Sequence, residues 1–215
     1  MKQVLSRQER KILKTKTEIL DAARHFFLIK GYDNVSMDEI ADSIPISKTT
    51  IYKYFDSKEE ILHTILSELL NNINMLFDKG TEDNRTGFEQ MHSMAEEFLH
   101  LFSTDKKMQH FFLLERDINS KVYYERKFED ILDGIGKLRE RATDLLRKGI
   151  KDKSIKRSID PRKTGAELSI IVLGFCSMIS EKKYDIICGQ MGLSIKDIID
   201  GVMNHILVII ENLKA

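Results

Sequence analysis

Tryptophan is absent from this 215-residue chain, proline and cysteine occur only twice each, and net charge is nil, with 34 basic side chains against 34 acidic ones. Each scarcity excludes something. Two cysteines cannot staple a disulfide scaffold and point to a reducing compartment. Two prolines leave long stretches of backbone free to be helical. A balanced charge argues against a surface coated in basic residues for indiscriminate nucleic-acid binding. The opening Met1 to Arg7 is polar, without the apolar stretch of a signal peptide. The most apolar segment, Ser169 to Ile179, is bounded by Glu167 and Glu181 and is too short to span a bilayer. A cytoplasmic protein is expected. At 42% hydrophobic and 32% charged residues, the chain has enough apolar content to build a core rather than stay disordered.

What is present is helical periodicity. Ile12, Ile19, Ala22, Ala23, Phe26 and Phe27 recur at helical spacing, and Gly31 follows as a stop. Ser36 precedes Glu39 by three residues, a capping-box pattern that opens a short helix interrupted by Pro45. Ser47 opens a further short helix to Phe55, and Ser57 with Glu60 opens a long one to about Asp78, striped by Leu62, Ile65, Leu69, Ile73 and Leu76. Lys79 to Gly87 and Gly149 to Pro161 are expected loops. Further helices are expected near 88–103, 106–118, 121–150, 161–182 and 194–213. No strand alternation stands out, so the fold class is all-α.

Charge is unevenly spread. Residues 1–30 hold eight basic side chains against three acidic ones, an excess of five that the rest of the chain offsets. This favours an anionic partner near the N-terminus over a merely solvated helix face only when combined with other features. Those features follow at once. Three short helices within 12–55, the second and third separated only around Ile44-Pro45-Ile46, have the layout of a helix-turn-helix, whose last helix enters the DNA major groove. Lys48, Thr49, Thr50, Tyr52 and Lys53 offer polar groups, while Ile51 and Phe55 supply an apolar side. Such side chains answer the acceptors, donors and thymine methyls of groove edges. Tyr52 and Tyr54 can donate to phosphates, and Ser36 and Ser47 stand at helix starts where backbone N–H groups face anions. Spacing alone leaves open a plain three-helix bundle with half-buried tyrosines.

The blocks Ile19 to Phe27, Lys30-Gly31-Tyr32, Met37 to Ala41, Ser47 to Phe55 and Ser57 to Leu62 resemble, in order and spacing, the DNA-binding domain of the tetracycline-repressor (TetR) family. The resemblance covers about residues 12–62. Two positions depart from the family pattern: Pro45 where a turn glycine is usual, and Thr49 where glycine is frequent. Because proline holds φ near −65°, the turn must be built differently or the preceding helix must end earlier. The resemblance implies a homodimeric transcriptional regulator, most often a ligand-responsive repressor, on a palindromic operator of double-stranded DNA, with recognition helices about 34–36 Å apart. It implies a DNA-binding domain over 1–60, with its motif at about 36–55, and an effector-binding and dimerisation domain over 61–215. Ser36 and Ser47 would meet phosphate. Lys48, Thr49, Thr50 and Tyr52 would meet bases or groove, and Lys53, Tyr54 and Lys58 the DNA backbone. A basic arm, Arg7 to Lys16, would add contacts.

The remainder suggests a partner copy and a ligand. Gly165, Ala166, Ser169, Gly174 and Ser177 permit close helix approach, and Ile170, Ile171, Leu173, Phe175, Met178 and Ile179 provide area to bury. Ile206 to Ile210 is apolar on every face, so it needs cover on more than one side. A homodimer through about 161–213 is expected, against the alternative of burial within one subunit. Met75, Phe77, Phe88, Met91, Met94, Phe98, Phe102, Met108, Phe111 and Phe112 are either core or the walls of an adaptable effector pocket of the kind the family implies. A ferritin-like di-iron bundle is the rival from another class: Glu60 with His63 and Glu97 with His100 are Glu-x-x-His pairs, and His92, Glu96 and His100 share a helix face. A helical adaptor that binds no DNA is a third. Cys176 and Cys188 lack metal-site spacing and are expected to be buried. No phosphate-cradling loop or nucleophile–base layout is evident, so neither an enzyme nor a cofactor is expected.

Overall fold

The computed structural model describes residues 6–80, 85–105, 108–109, 112 and 128–215. Among them the chain is all-helical, in the order α1 (Arg7–Lys30), a 3₁₀ turn (Tyr32–Asn34), α2 (Met37–Asp42), α3 (Lys48–Ile51), α4 (Lys58–Gly80), α5 (Gly87–Thr104), α6 (Glu129–Asp152), α7 (Pro161–Ile179), α8 (Lys182–Gln190) and α9 (Ile195–Glu211). The helix expected over 106–118 and the first part of that over 121–150 lie mostly outside the described residues.

Most starts are capped as the sequence suggests, with differences that have local causes. Beyond the expected caps, Ser6 forms a full capping box with Glu9, so residues 7–16 are the opening turns of α1 rather than an extended arm. Ser36 caps α2 by accepting the Glu39 N–H at 3.2 Å, but the Glu39 carboxylate turns to Lys30 and does not close the box. Ser57 Oγ accepts the Glu60 N–H at 3.2 Å, and the Glu60 carboxylate reaches one residue further back, to the Asp56 N–H at 2.6 Å. The expected helix 161–182 breaks at Ser180, and α8 follows as a separate element that periodicity missed. Asp160 caps α7 with Pro161 in its first turn, where a missing N–H costs nothing.

A continuous core links the N-terminal helices to the rest. Ile19, Ala23, Phe27, Ile40, Ile51 and Phe55 bury against one another and against Ile61, Leu62 and Ile65 of α4, whose later turns join the same cluster as Phe98, Phe102, Leu146 and Ile206. α4 therefore belongs to both regions. Two close helix approaches shape the second region. A Cβ on Gly87 would lie 2.1 Å from the Gly149 backbone nitrogen, so α5 and α6 meet backbone to backbone. A Cβ on Gly165 would lie 2.6 Å from Thr143 Oγ1, which brings α7 onto α6. Gly149, expected to open a loop, sits inside α6, which runs on to Asp152. Lys153 then takes a left-handed conformation, φ 68°, and the chain end pairs with this corner through Ala215 N–H to Ser154 O at 3.0 Å. Among the described residues no single helix is long and apolar enough to cross a membrane.

Candidate nucleic-acid interface and apolar cavity

α2 and α3 are joined by residues 43–47, and Pro45 shapes the join. The Ile46 N–H donates to Ile44 O at 2.7 Å, a three-residue turn centred on Pro45. An inverse γ-turn wants φ near −75° at its centre, which proline supplies unaided. α2 has already ended, with Ser43 N–H on Ile40 O and Ile44 N–H on Ala41 O, both at 3.3 Å. Both consequences expected of proline in place of a turn glycine are thus present: an early helix end and a different turn.

The helix after the turn is short and tightly held from behind. Ser47 Oγ accepts the Thr50 N–H at 3.1 Å, α3 covers Lys48–Ile51, and turns continue through Phe55 N–H on Ile51 O at 3.0 Å. Ile51 (0% exposed) and Phe55 (3%) plug into the core. Helical spacing then turns Lys48, Thr49, Tyr52 and Lys53 to solvent, where all four are exposed; Tyr52 is 49% exposed despite its ring. Thr50 and Tyr54 are half-buried, and the Thr50 hydroxyl is paired with Ser47 Oγ at 2.7 Å. Ser36 is exposed at the head of α2 on its capping bond.

Two cations depart from simple display. Lys48 Nζ donates to Asp38 Oδ2 at 2.8 Å and lies 3.8 Å from Asp42 Oδ2. The hydrogen bond to Asp38 holds its ammonium above the ordinary lysine range. Lys58 turns away from solvent: Nζ donates to Tyr32 O at 2.7 Å and sits 4.3 Å from the centre of the Tyr32 ring. It ties α4 to the 3₁₀ turn. Lys16 of α1 lies over the Phe55 ring at 5.5 Å, so the basic first turns of α1 flank the end of this face.

The second region holds an apolar cavity of about 200 Å³ walled by α4, α5, α6, α7 and, through Ile210, α9. Of the aromatic and methionine candidates, Met91, Met94, Phe98 and Phe112 line it. Phe88, Phe102 and Met108 are core instead, and Met75 is 59% exposed. Phe111 and the Phe77 side chain lie outside what the structure describes. The sequence signal missed the aliphatic walls: Leu70 and Ile73 from α4, Ile135 and Leu138 from α6, and Leu168 and Val172 from α7. Single aliphatics at helical spacing carry no mark that separates a cavity wall from a core. Arg139 and Ser169 are the polar side chains on the lining.

The features of a metal bundle do not come together. Glu60 caps the start of α4, and His63 Nε2 faces the Asp130 carboxylate at 2.9 Å. His92 pairs with Glu96 at 3.3 Å and Glu211 at 3.4 Å, while His100 is exposed elsewhere on α5. Among the described residues no group of three or more His, Cys, Asp or Glu is placed to hold an ion. Cys176 and Cys188 are buried free thiols, and burial pushes the Cys176 thiol well above its ordinary value.

Residues 19–65 match the sequence model of bacterial regulatory proteins, tetR family. The biofilm operon icaADBC HTH-type negative transcriptional regulator IcaR of Staphylococcus aureus is 41% identical over 64 residues, 28% of this chain and 34% of that protein. The HTH-type transcriptional regulator TcmR of Streptomyces glaucescens is 29% identical over 62 residues, 29% of this chain and 27% of that one. The match thus spans about a third of the length of these relatives or less. The whole fold is similar to the ketosteroid transcriptional regulator KstR2 of Mycobacterium tuberculosis, with TM-score 0.68 and 16% identity over 95% of both chains. It is equally similar to the TetR family transcriptional regulator PfmR of Thermus thermophilus, with TM-score 0.68 and 21% identity over 88% of this chain and 96% of that one. The N-terminal helix-turn-helix segment of this chain is thus similar to that of bacterial regulatory proteins of the tetR family, over residues 19–65.

Proposed function

We propose that this protein is a non-enzymatic, ligand-responsive transcriptional repressor that binds a palindromic operator in the cytoplasm as a homodimer. The observation that carries it is the display of Lys48, Thr49, Tyr52 and Lys53 on a helix whose opposite side, Ile51 and Phe55, is buried. A short helix with one anchored face and one polar exposed face fits a groove about 12 Å wide. Thr49, Tyr52 and Lys53 are assigned to bases and groove, with Lys48 at their edge. Ser36, Ser47 and Tyr54 are assigned to the flanking phosphates, with Thr50 bracing Ser47. Lys58 is assigned to holding α4 rather than to DNA.

The dimer rests on surface that a monomer leaves uncovered. Ile170 (72% exposed), Ile171 and Met178 of α7 and Val208 (57%) and Ile209 of α9 face outward, and nothing lies within 4 Å of where a Cβ would stand on Gly174 or Gly201. Phe175, Ile179, Ile206 and Ile210 face inward and are buried in their own subunit. The apolar character of α9 on every side is thus satisfied by two coverings, one internal and one external. An apolar surface of this extent suits a self-complementary contact between identical helix pairs. Gly165 belongs to the internal contact with Thr143 and not to this surface.

The test is selection of random DNA by the full-length protein, followed by binding of the enriched sequence at several salt concentrations. Enrichment of a two-fold symmetric site, with log affinity falling linearly in log salt, is expected. Failure to enrich any sequence, or enrichment of an asymmetric one, overturns the proposal.

A further inference from the structure

The cavity is almost wholly apolar, yet one cation stands on its lining without a counter-charge among the described residues. Arg139 of α6 makes no ion pair or side-chain hydrogen bond among the described residues. The carboxylates around it are already engaged: Asp133 with Lys137 at 2.7 Å, and Glu140 and Asp144 with Arg147 at 2.8 and 2.5 Å. Arg141, two residues on, donates to Asn74 at 3.3 Å. Arg139 is exposed, so it stands where the lining meets solvent and its charge stays hydrated. The other polar lining group, Ser169, has its hydroxyl proton committed to Gly165 O at 2.8 Å, so it offers lone pairs only and has no donor for an anion.

We propose that the cavity takes an amphipathic monoanion, an apolar body of about eight to ten carbons ending in one carboxylate, with the carboxylate on Arg139. This rests on the reading of the protein as ligand-responsive. A guanidinium presents a planar fork of donors that fits a carboxylate in two parallel bonds. At a hydrated mouth the ion pair forms without moving a bare charge into the apolar interior, which would be prohibitive. The size follows from the volume: an apolar cavity of about 150 Å³ accommodates benzene, so about 200 Å³ suits a somewhat longer body. Because Leu70 and Ile73 bring α4 into the wall, occupancy bears on the helix whose start is tied to Tyr32 by Lys58. A ligand that fits better when α4 is displaced shifts the protein away from its DNA-binding arrangement.

The probes are straight-chain monocarboxylates from butyrate to tetradecanoate, with the alcohol and amine of matched length, titrated calorimetrically into the full-length protein. Operator release by the same compounds is measured in parallel. Affinity for the acids is expected to rise about fourfold per methylene until the cavity is full, then level off. At the best length, acid should bind at least about tenfold tighter than amine. Arg139→Gln should weaken the acid by about tenfold or more and leave the alcohol unchanged, and Arg139→Glu should reverse the preference towards the amine. Ala95→Phe, which fills the cavity, should abolish binding of acid and alcohol while operator binding persists. Equal binding of acid and amine, an Arg139→Gln variant that keeps its acid affinity, or no binding of any probe overturns the inference. If the protein meanwhile binds its symmetric operator, the regulator reading stands without it. If no operator is bound, that reading falls, whichever way the calorimetry goes.

Discussion

Lys48 Nζ lies 2.8 Å from Asp38 Oδ2, so the first residue of α3 is held by the helix before it. Both side chains are 52% exposed, and Asp42 at 3.8 Å is more exposed still. A pair so wetted contributes little to stability, so a DNA phosphate can compete for the lysine. Binding nevertheless carries two carboxylates towards an anionic surface. Asp38→Asn with Asp42→Asn is therefore expected to tighten binding to operator and to random DNA, with the larger gain on random DNA. Lys48→Ala should weaken operator binding by roughly tenfold and change sequence preference. Fluorescence anisotropy at several salt concentrations measures both; unchanged random-DNA affinity in the double variant would contradict the competition.

Lys58→Ala should behave differently from Lys48→Ala. Its ammonium is bonded to Tyr32 O and stacked on the Tyr32 ring, so its loss removes a charge-assisted bond and a cation–π contact and leaves that carbonyl with the Val35 N–H at 3.4 Å. The expected result is a stability loss of about 1–2 kcal/mol with little change in the salt dependence of DNA binding. A salt slope reduced by about one phosphate contact would return Lys58 to the interface.

At the outer face of α7 and α9, Ile170→Asp or Val208→Asp should yield a folded monomer, since both side chains are more than half exposed within one subunit. Operator affinity should fall by about two orders of magnitude, because two half-sites are no longer engaged together. Light scattering after gel filtration at micromolar concentration, beside helical content by circular dichroism, separates loss of the dimer from loss of the fold.

Gly87→Ala should destabilise by about 2–3 kcal/mol, because the new methyl would meet the α6 backbone at Gly149 and not a flexible side chain. For a chain of this size that lowers Tm by about 5–10 °C. A Tm equal to that of the unaltered protein would mean that α5 and α6 can separate freely.

Asp152 makes a pH-dependent clasp at the same corner. Its carboxylate accepts the Gly87 N–H at 2.7 Å and the Ser154 N–H at 3.0 Å. Partial burial raises its pKa, but the bonds from Ser154 and Gly87 outweigh that and hold it below the ordinary value. A carboxyl whose pKa is lower in the folded state stabilises above its unfolded pKa of about 3.9 and loses that contribution as pH falls towards the folded value. Asp152→Asn should therefore lower Tm at neutral pH, and the gap from the unaltered protein should close between about pH 5 and pH 3. A gap that is constant across this range would assign the effect to shape alone.

The helical fold class, the serine caps and the helix-turn-helix were legible because they rest on local chemistry: 3.6-residue apolar spacing, hydroxyls at helix starts, and proline's fixed φ. Ser47 caps α3 as its position demands, and Ile51 and Phe55 bury because their spacing places them on one side of the turn. What sequence alone could not determine was which of several equivalent faces meets which neighbour. It could not tell that Lys48 would find Asp38 or that Lys58 would find Tyr32, since both pairings join different elements. Nor could it tell that Gly165 would meet Thr143 while Gly174 stays open. Equally hidden was that Arg139 would stand beside a cavity with no ion pair among the described residues, while Arg147, further along the same helix, took two carboxylates. Those outcomes depend on the rotation and separation of whole helices, which the packing of the core decides and local periodicity does not encode.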